Sequence, residues 1–189
     1  MIVIIAGPSG SGKTTFIQKL LSVEKKFNVI PVDVISQHRI YEEDLGRRQI
    51  SNIKFSQKEK RGYYTHTYVY ENSKYGFCLN KLSTNGVYIL DYPGEYPQCG
   101  DLASYDWIGV LLIPPSEQVL SFRLNLAGRT NRIKSAIIEY RECLTDIEQG
   151  KFNDWIIVKN DTYLDILSGI QLTINRIKDT KKSSSKKHG

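Results

Sequence analysis

The chain is short of the residues that build metal centres and disulfide frameworks. It has only three cysteines (Cys78, Cys99 and Cys143) and three histidines (His38, His66 and His188), all widely spaced. None falls at metal-ligand spacing, which argues against a zinc site. An odd number of scattered thiols also excludes a disulfide scaffold and fits a reducing, cytoplasmic setting. No apolar run approaches the ~18 residues of a membrane span, so no membrane partner is expected. The opening Met1–Gly7 lacks a basic start, and its apolar run is too short for a signal peptide. It reads as a strand. No internal repeat and no linker divides the chain.

Charge is also scarcer than it first looks. The formal net charge is +6, but the last nine residues, Lys181–Gly189, hold four lysines and no acid. Without them residues 1–180 stand at +2. The body is only mildly basic and shows no obvious patch of the kind nucleic-acid binding needs, so no nucleic-acid partner is expected. The lysine-rich end, 181–189, reads as a solvated, disordered tail. What remains is ordinary for one soluble domain over residues 1–180: 40% hydrophobic and 24% charged residues in a chain of 189.

Against this plain background one stretch stands out, IVIIAGPSGSGKTTFIQKLL at residues 2–21. Gly7, Gly12, Lys13 and Thr14 occupy the fixed positions of the Walker A pattern G-x-x-x-x-G-K-[ST]. Successive backbone N–H groups must point inward to wrap a phosphate chain, and glycine permits the positive φ angles this needs. Ser9, Gly10, Ser11 and Thr15 complete the cradle. The loop opens a helix, whose N-terminus adds partial positive charge. Lys13 reaches the β and γ phosphates, and the Thr14 hydroxyl can ligate Mg²⁺. The context agrees, since IVIIA is a buried strand by composition and Phe16, Ile17, Leu20 and Leu21 recur at helical spacing. The loop is expected to bind a nucleoside triphosphate.

Further β-rich runs lie at 28–35, 86–92, 107–114 and 154–160. Between and after them, Ile133, Ala136, Ile137, Tyr140, Leu144 and Ile147 line one helical face. Tyr163, Ile166, Leu167, Ile170, Ile174 and Ile177 line another. This alternation predicts a mostly parallel sheet with helices on both sides. Residues 40–85 are polar and tyrosine-rich, and YYTHTYVYENSKYGF alternates as an antiparallel hairpin does. That insert is the expected seat of a second substrate.

Three segments resemble guanylate kinases: GPSGSGKTT at the start, LLIPPSEQVLSFRL at 111–124, and AGRTNRIKSAIIEYRECLTDIEQGKFNDWIIVKND at 127–161. Between them, ENSKYG is similar to the family's acceptor-site Tyr-Gly turn, and GVYILD to its central strand ending in Asp. The resemblance implies an α/β fold. This is the three-layer P-loop NTPase arrangement, with a five-stranded, mostly parallel sheet, a small antiparallel acceptor-binding insert (about 36–85) and a helical lid (about 125–140). It implies a nucleoside monophosphate kinase using ATP and Mg²⁺, as a monomer or homodimer. Lys13, Arg129 and Arg141 would surround the transferred phosphoryl group. Arg123 and Asn160 would lie near the adenine, Arg39, Tyr75 and Asp91 would face the acceptor, and Thr14 and Asp91 would hold the metal.

The acceptor side departs from the family pattern. Arg39 fills its first arginine position, but the second falls among Glu42, Glu43 and Asp44, with Arg47 or Arg48 as nearby substitutes. His66 stands where a guanine-binding glutamate is expected. The guanine N1–H and N2–H₂ would then go unmatched, a loss that costs orders of magnitude in specificity. The expected acceptor is GMP held differently, another nucleotide, or a non-nucleotide phosphate such as the phosphorylated sugar of the similar ribose bisphosphate kinases. A different class stays open. Asp91–Gly94 reads D-x-x-G, the γ-phosphate sensor of nucleotide-switch GTPases, although no N-K-x-D motif follows. A non-catalytic binding module would be expected to have lost the phosphate loop.

Overall fold

In a computed structural model of the chain, residues 1–36, 45–70, 72–92, 102 and 105–186 are described. Five strands form one parallel sheet: β1 (Ile2–Ala6), β2 (Phe27–Val29), β7 (Val87–Asp91), β8 (Trp107–Ile113) and β9 (Ile156–Lys159). Their order is β2-β7-β1-β8-β9, with β1 at the centre. All five residues of β1 are buried, as expected of a strand with both faces covered.

The period of two in β1 sorts its side chains into two cores. Val3 and Ile5 pack with Phe16, Ile17 and Leu20 of α1 (Lys13–Val23) and with Ile166, Ile170 and Ile177 of α5 (Tyr163–Lys186). Ile2, Ile4 and Ala6 face the other way. They join Leu120 and Leu124 of α3 (Glu117–Leu126) and Ala136, Tyr140 and Cys143 of α4 (Ile133–Glu148). The molecule is thus a three-layer α/β structure. A fully buried Ile or Leu contributes ~1.5–3 kcal/mol, so these two seams dominate the stability.

A second sheet of order β4-β3-β6-β5 is the insert. It holds β3 (Val32–Ile35), β4 (Arg47–Gln49), β5 (His66–Tyr70) and β6 (Ser73–Phe77), braced by α2 (Asn52–Lys60). β5 and β6 pair antiparallel, the hairpin the alternation predicts. Tyr75 and Gly76 stand inside β6 rather than in a turn; the bend comes earlier, where Asn72 takes φ +59°.

Two elements differ from the sequence reading. The run 28–35 is two strands in two sheets, because Pro31 has no N–H to continue a ladder. Ile30 donates to Ile89 of the large sheet at 2.8 Å, and Val32 donates to Gly46 of the small one at 2.9 Å. The last helix runs to Lys186, past the expected domain end at 180. Its residues 181–183 are exposed, so lysine and serine extend it at no burial cost; 187–189 lie outside the described residues. On α4 the core position is Cys143, while Leu144 stays 37% exposed. Burial pushes the Cys143 thiol up to about 12. Among the described residues no helix is long and apolar enough to cross a membrane.

Candidate active site

The sheet itself creates the site. The helix after β1 packs on one face and the helix after β8 on the other, so their connecting loops diverge at the carboxyl ends of adjacent strands. That divergence opens a crevice. A cavity of about 590 Å³ occupies it, joining the phosphate loop to the tips of β7 and β9, to the insert and to the segment between α3 and α4.

The loop has the geometry its motif demands. Gly7 and Gly12 carry φ of +137° and +98°, which a side chain rarely tolerates. A Cβ at Gly7 would stand 2.2 Å from the Leu112 carbonyl oxygen, and one at Gly12 would stand 2.2 Å from Asn160 Nδ2. Helix α1 starts at Lys13, directly after this left-handed residue. Ser9, Gly10, Gly12, Lys13, Thr14 and Thr15 line the cavity, while Gly7 and Ser11 are buried behind them. Lys13 Nζ donates to the Gly7 and Pro8 carbonyls at 2.5 and 3.1 Å. Burial pushes its ammonium pKa down, and Asp91 opposes that shift.

At the tip of β9, Asn160 binds the loop. Its Nδ2 donates to the Ser11 carbonyl at 2.7 Å, and its own carbonyl accepts from Arg123 Nη2 at 2.7 Å. Arg123 and Asn160 therefore meet at the cavity wall beside Tyr163 and Ile166. A reciprocal cap fixes the start of α5 there: Asp165 Oδ2 accepts from the Thr162 amide at 2.7 Å, and Thr162 Oγ1 accepts from the Asp165 amide at 3.3 Å.

Asp91, at the end of β7, is 3% exposed and paired with Arg47 of β4, which is 9% exposed. This ion pair ties the insert to the large sheet. The other oxygen, Asp91 Oδ1, is buried with no hydrogen-bond partner. An orphaned carboxylate oxygen needs an explanation, and a hard cation is a fitting one. Among the described residues no group of three or more His, Cys, Asp or Glu could hold a metal. A protein offering one carboxylate and the Thr14 hydroxyl suits Mg²⁺, which takes few protein ligands and completes its shell with phosphates and water.

The positive charge is arranged differently from the expected set. Arg129 lines the cavity, but Arg141 does not. Arg141 lies on the exposed side of α4 and donates to both carboxylate oxygens of Glu117 at 2.7 and 3.0 Å. Its guanidinium holds the Glu117 carboxyl below its usual range. The other arginine that the segment between α3 and α4 brings to the cavity is Arg132. Residues 130–132 form a 3₁₀ turn with Arg129 as its N-cap. The Arg132 amide donates to the Arg129 carbonyl at 3.0 Å, and both side chains line the cavity; this short turn carries no apolar period, so the sequence pattern did not mark Arg132. Arg132 Nη2 donates to the Tyr70 hydroxyl at 3.2 Å.

Of the residues expected to face an acceptor, Tyr75 and Asp91 line the cavity, joined by Arg47, Leu45 and Tyr70. Tyr68 lies sandwiched between Tyr75 and Tyr92, its ring 5.0 and 5.1 Å from theirs. His66 packs on Tyr68 and Phe77 and is absent from the described cavity lining. Arg39 lies outside the described residues.

No family model matches the chain. It is 28% identical over 178 residues to a guanylate kinase from Hydrogenovibrio crunogenus, covering 89% of this chain and 85% of that protein. The crystal structure of guanylate kinase from Anaplasma phagocytophilum superposes with a TM-score of 0.62, covering 97% of this chain and 85% of the other at 18% identity.

Proposed function

From a chain that is guanylate kinase-like in sequence and in fold, we propose a phosphotransferase that moves the γ-phosphoryl group of MgATP onto a nucleoside monophosphate. The observation that carries this reading is the shared cavity. The phosphate loop, Lys13, Arg129 and Arg132 open into the same space as Asp91, Arg47 and Tyr75. A kinase must seat donor and acceptor together under concentrated positive charge, because phosphoryl transfer is catalysed mainly by positioning and electrostatics.

Lys13 and the amides of residues 9–15 would hold the β and γ phosphates. Arg129 and Arg132 would neutralise the equatorial oxygens as the segment 125–140 closes and excludes water. Arg123, Asn160 and Tyr163 would bracket the donor's base. Thr14 and Asp91 would hold Mg²⁺, which, when bound, offsets phosphate charge. Arg47 would face the acceptor.

GMP is the acceptor of the similar proteins by their names, yet the cavity favours a second reading. The acids lining its described part are Asp91, already paired with Arg47, and Asp161 beside the donor end. His66 packs within the hairpin, and among the described lining residues these two are the only carboxylates within reach of a guanine edge. A phosphorylated sugar needs none. A nucleotide switch fits less well, since Asp91 is held by Arg47. Gly94 lies outside the described residues and favours neither reading.

The test is a coupled ADP-release assay with MgATP against the nucleoside monophosphates and ribose phosphates. Acceptor-dependent turnover is expected, lost in Lys13→Ala. Turnover unchanged by that substitution, or none with any acceptor, would sink the reading. Efficient use of GMP, at a kcat/KM of roughly 10⁶ M⁻¹s⁻¹, would decide against the sugar.

A further inference from the structure

Glu139, on α4, touches the phosphate loop, and nothing in the proposed chemistry asks for a carboxylate there. Its Oε2 accepts from the Ser9 amide at 2.9 Å. Its Oε1 accepts from the Tyr70 hydroxyl, whose oxygen takes the Arg132 bond. Ser9, Tyr70 and Arg132 all line the cavity. A continuous chain of bonds thus runs from the lid through the hairpin of the insert to the loop, and it ends on an N–H of the phosphate cradle.

We propose that Glu139 is an internal competitor for the donor's phosphate chain and sets the affinity of that subsite. A carboxylate on a backbone N–H makes the same kind of charge-assisted bond that a phosphate oxygen makes. The two cannot share the Ser9 amide, and their like charges repel at contact range. The donor must therefore displace Glu139. Displacement also breaks the Tyr70 contact to Glu139, so the Tyr70–Arg132 pair loses one restraint and can shift toward the ligand. Donor arrival is in this way reported to β5, on the acceptor side. The inference rests on the donor reading above.

Glu139 is half-buried and makes both contacts through its carboxylate. A merely structural role predicts lower stability and no gain in binding. A competitor predicts tighter binding, whatever the stability, and a gain that grows with ligand charge.

The experiment is calorimetric titration of the full chain with ATP, ADP and AMP in the presence of Mg²⁺. It compares wild type with Glu139→Gln, Glu139→Ala and Tyr70→Phe, and unfolding scans establish that each variant is folded. Losing one charge-assisted bond corresponds to about tenfold. ATP should bind the two Glu139 variants about tenfold tighter, and Tyr70→Phe a few-fold tighter. The gain should shrink from ATP to AMP. Folded Glu139 variants that bind ATP no tighter than wild type would overturn the competitor role while leaving the donor reading intact. No ATP binding by any form would overturn both.

Discussion

Asn160 at the tip of β9 and Ser11 in the first loop stand 149 positions apart, yet the Asn160 side-chain amide donates to the Ser11 carbonyl at 2.7 Å in a buried setting. The contact fixes the loop from outside, and the Asn160 carbonyl passes the restraint on to Arg123.

Asn160→Ala leaves the Ser11 carbonyl buried without its donor, so we expect a loss of ~1–3 kcal/mol in urea denaturation. Asn160→Asp should cost more, because it sets an acceptor-only carboxylate against that carbonyl. Gly12→Ala should act on the same contact, since its Cβ would fall 2.2 Å from Asn160 Nδ2 at a φ of +98°. Weaker ATP binding in all three, measured at temperatures where each is folded, is the accompanying expectation. Unchanged binding would mean the contact does not shape the loop.

Arg47 and Asp91 form a buried pair between the two sheets. Removing one partner strands a charge in low dielectric, which typically costs ~3–5 kcal/mol. Arg47→Leu is expected to lose that much in denaturant unfolding, because it leaves the Asp91 carboxylate buried without this guanidinium. The double substitution Arg47→Leu with Asp91→Leu should lose clearly less, because no buried charge is left alone. Additive losses would show that the two side chains are not coupled.

What the residues disclosed on their own follows how local each feature is. The phosphate loop, the strand before it and the helix after it are written within 22 consecutive positions, so motif and periodicity sufficed. The hairpin 66–77 was equally local. The split of 28–35 was marked by Pro31 but decided by which sheet had an open edge. The choice of Cys143 over Leu144 depends on how α4 is rotated against the sheet, a rotation that apolar spacing leaves open within one residue. The Arg47–Asp91 pair joins positions 44 apart, and nothing in either neighbourhood announces the other. Glu139 on the Ser9 amide spans 130 positions and sets a carboxylate on an anion-binding loop; no pattern of spacing anticipates that.

Arg132 and Arg141 separate the two ways of assigning the second arginine. Arg132 lines the cavity and reaches Tyr70. Arg141 is an exposed partner of Glu117. In a steady-state kinase assay Arg132→Ala should lower kcat by roughly 10³-fold, the order seen when a charge on the transferred phosphoryl group is lost. Arg141→Ala should change it by less than about threefold, as for a surface ion pair. The opposite ranking would mean that α4 turns on closure and delivers Arg141 to the reaction.

Lys13 gives the site a pH dependence with a definite sign. Burial holds its folded pKa below the ordinary 10.5, so the unfolded chain is the more protonated state between the two values. Its burial penalty is therefore fully present below the folded pKa, and stability recovers as pH rises through that value toward 10.5. Phosphates beside the ammonium act oppositely on binding: they raise its pKa, so alkaline binding takes up a proton and affinity falls as pH climbs toward 10.5. Calorimetry of ATP binding in two buffers of different ionisation enthalpy should show this uptake once the pH passes the lowered folded pKa. Lys13→Arg keeps its charge throughout and should abolish the uptake and flatten the decline. A decline of the same size in that variant would move the titration to another group and remove Lys13 as the phosphate's partner.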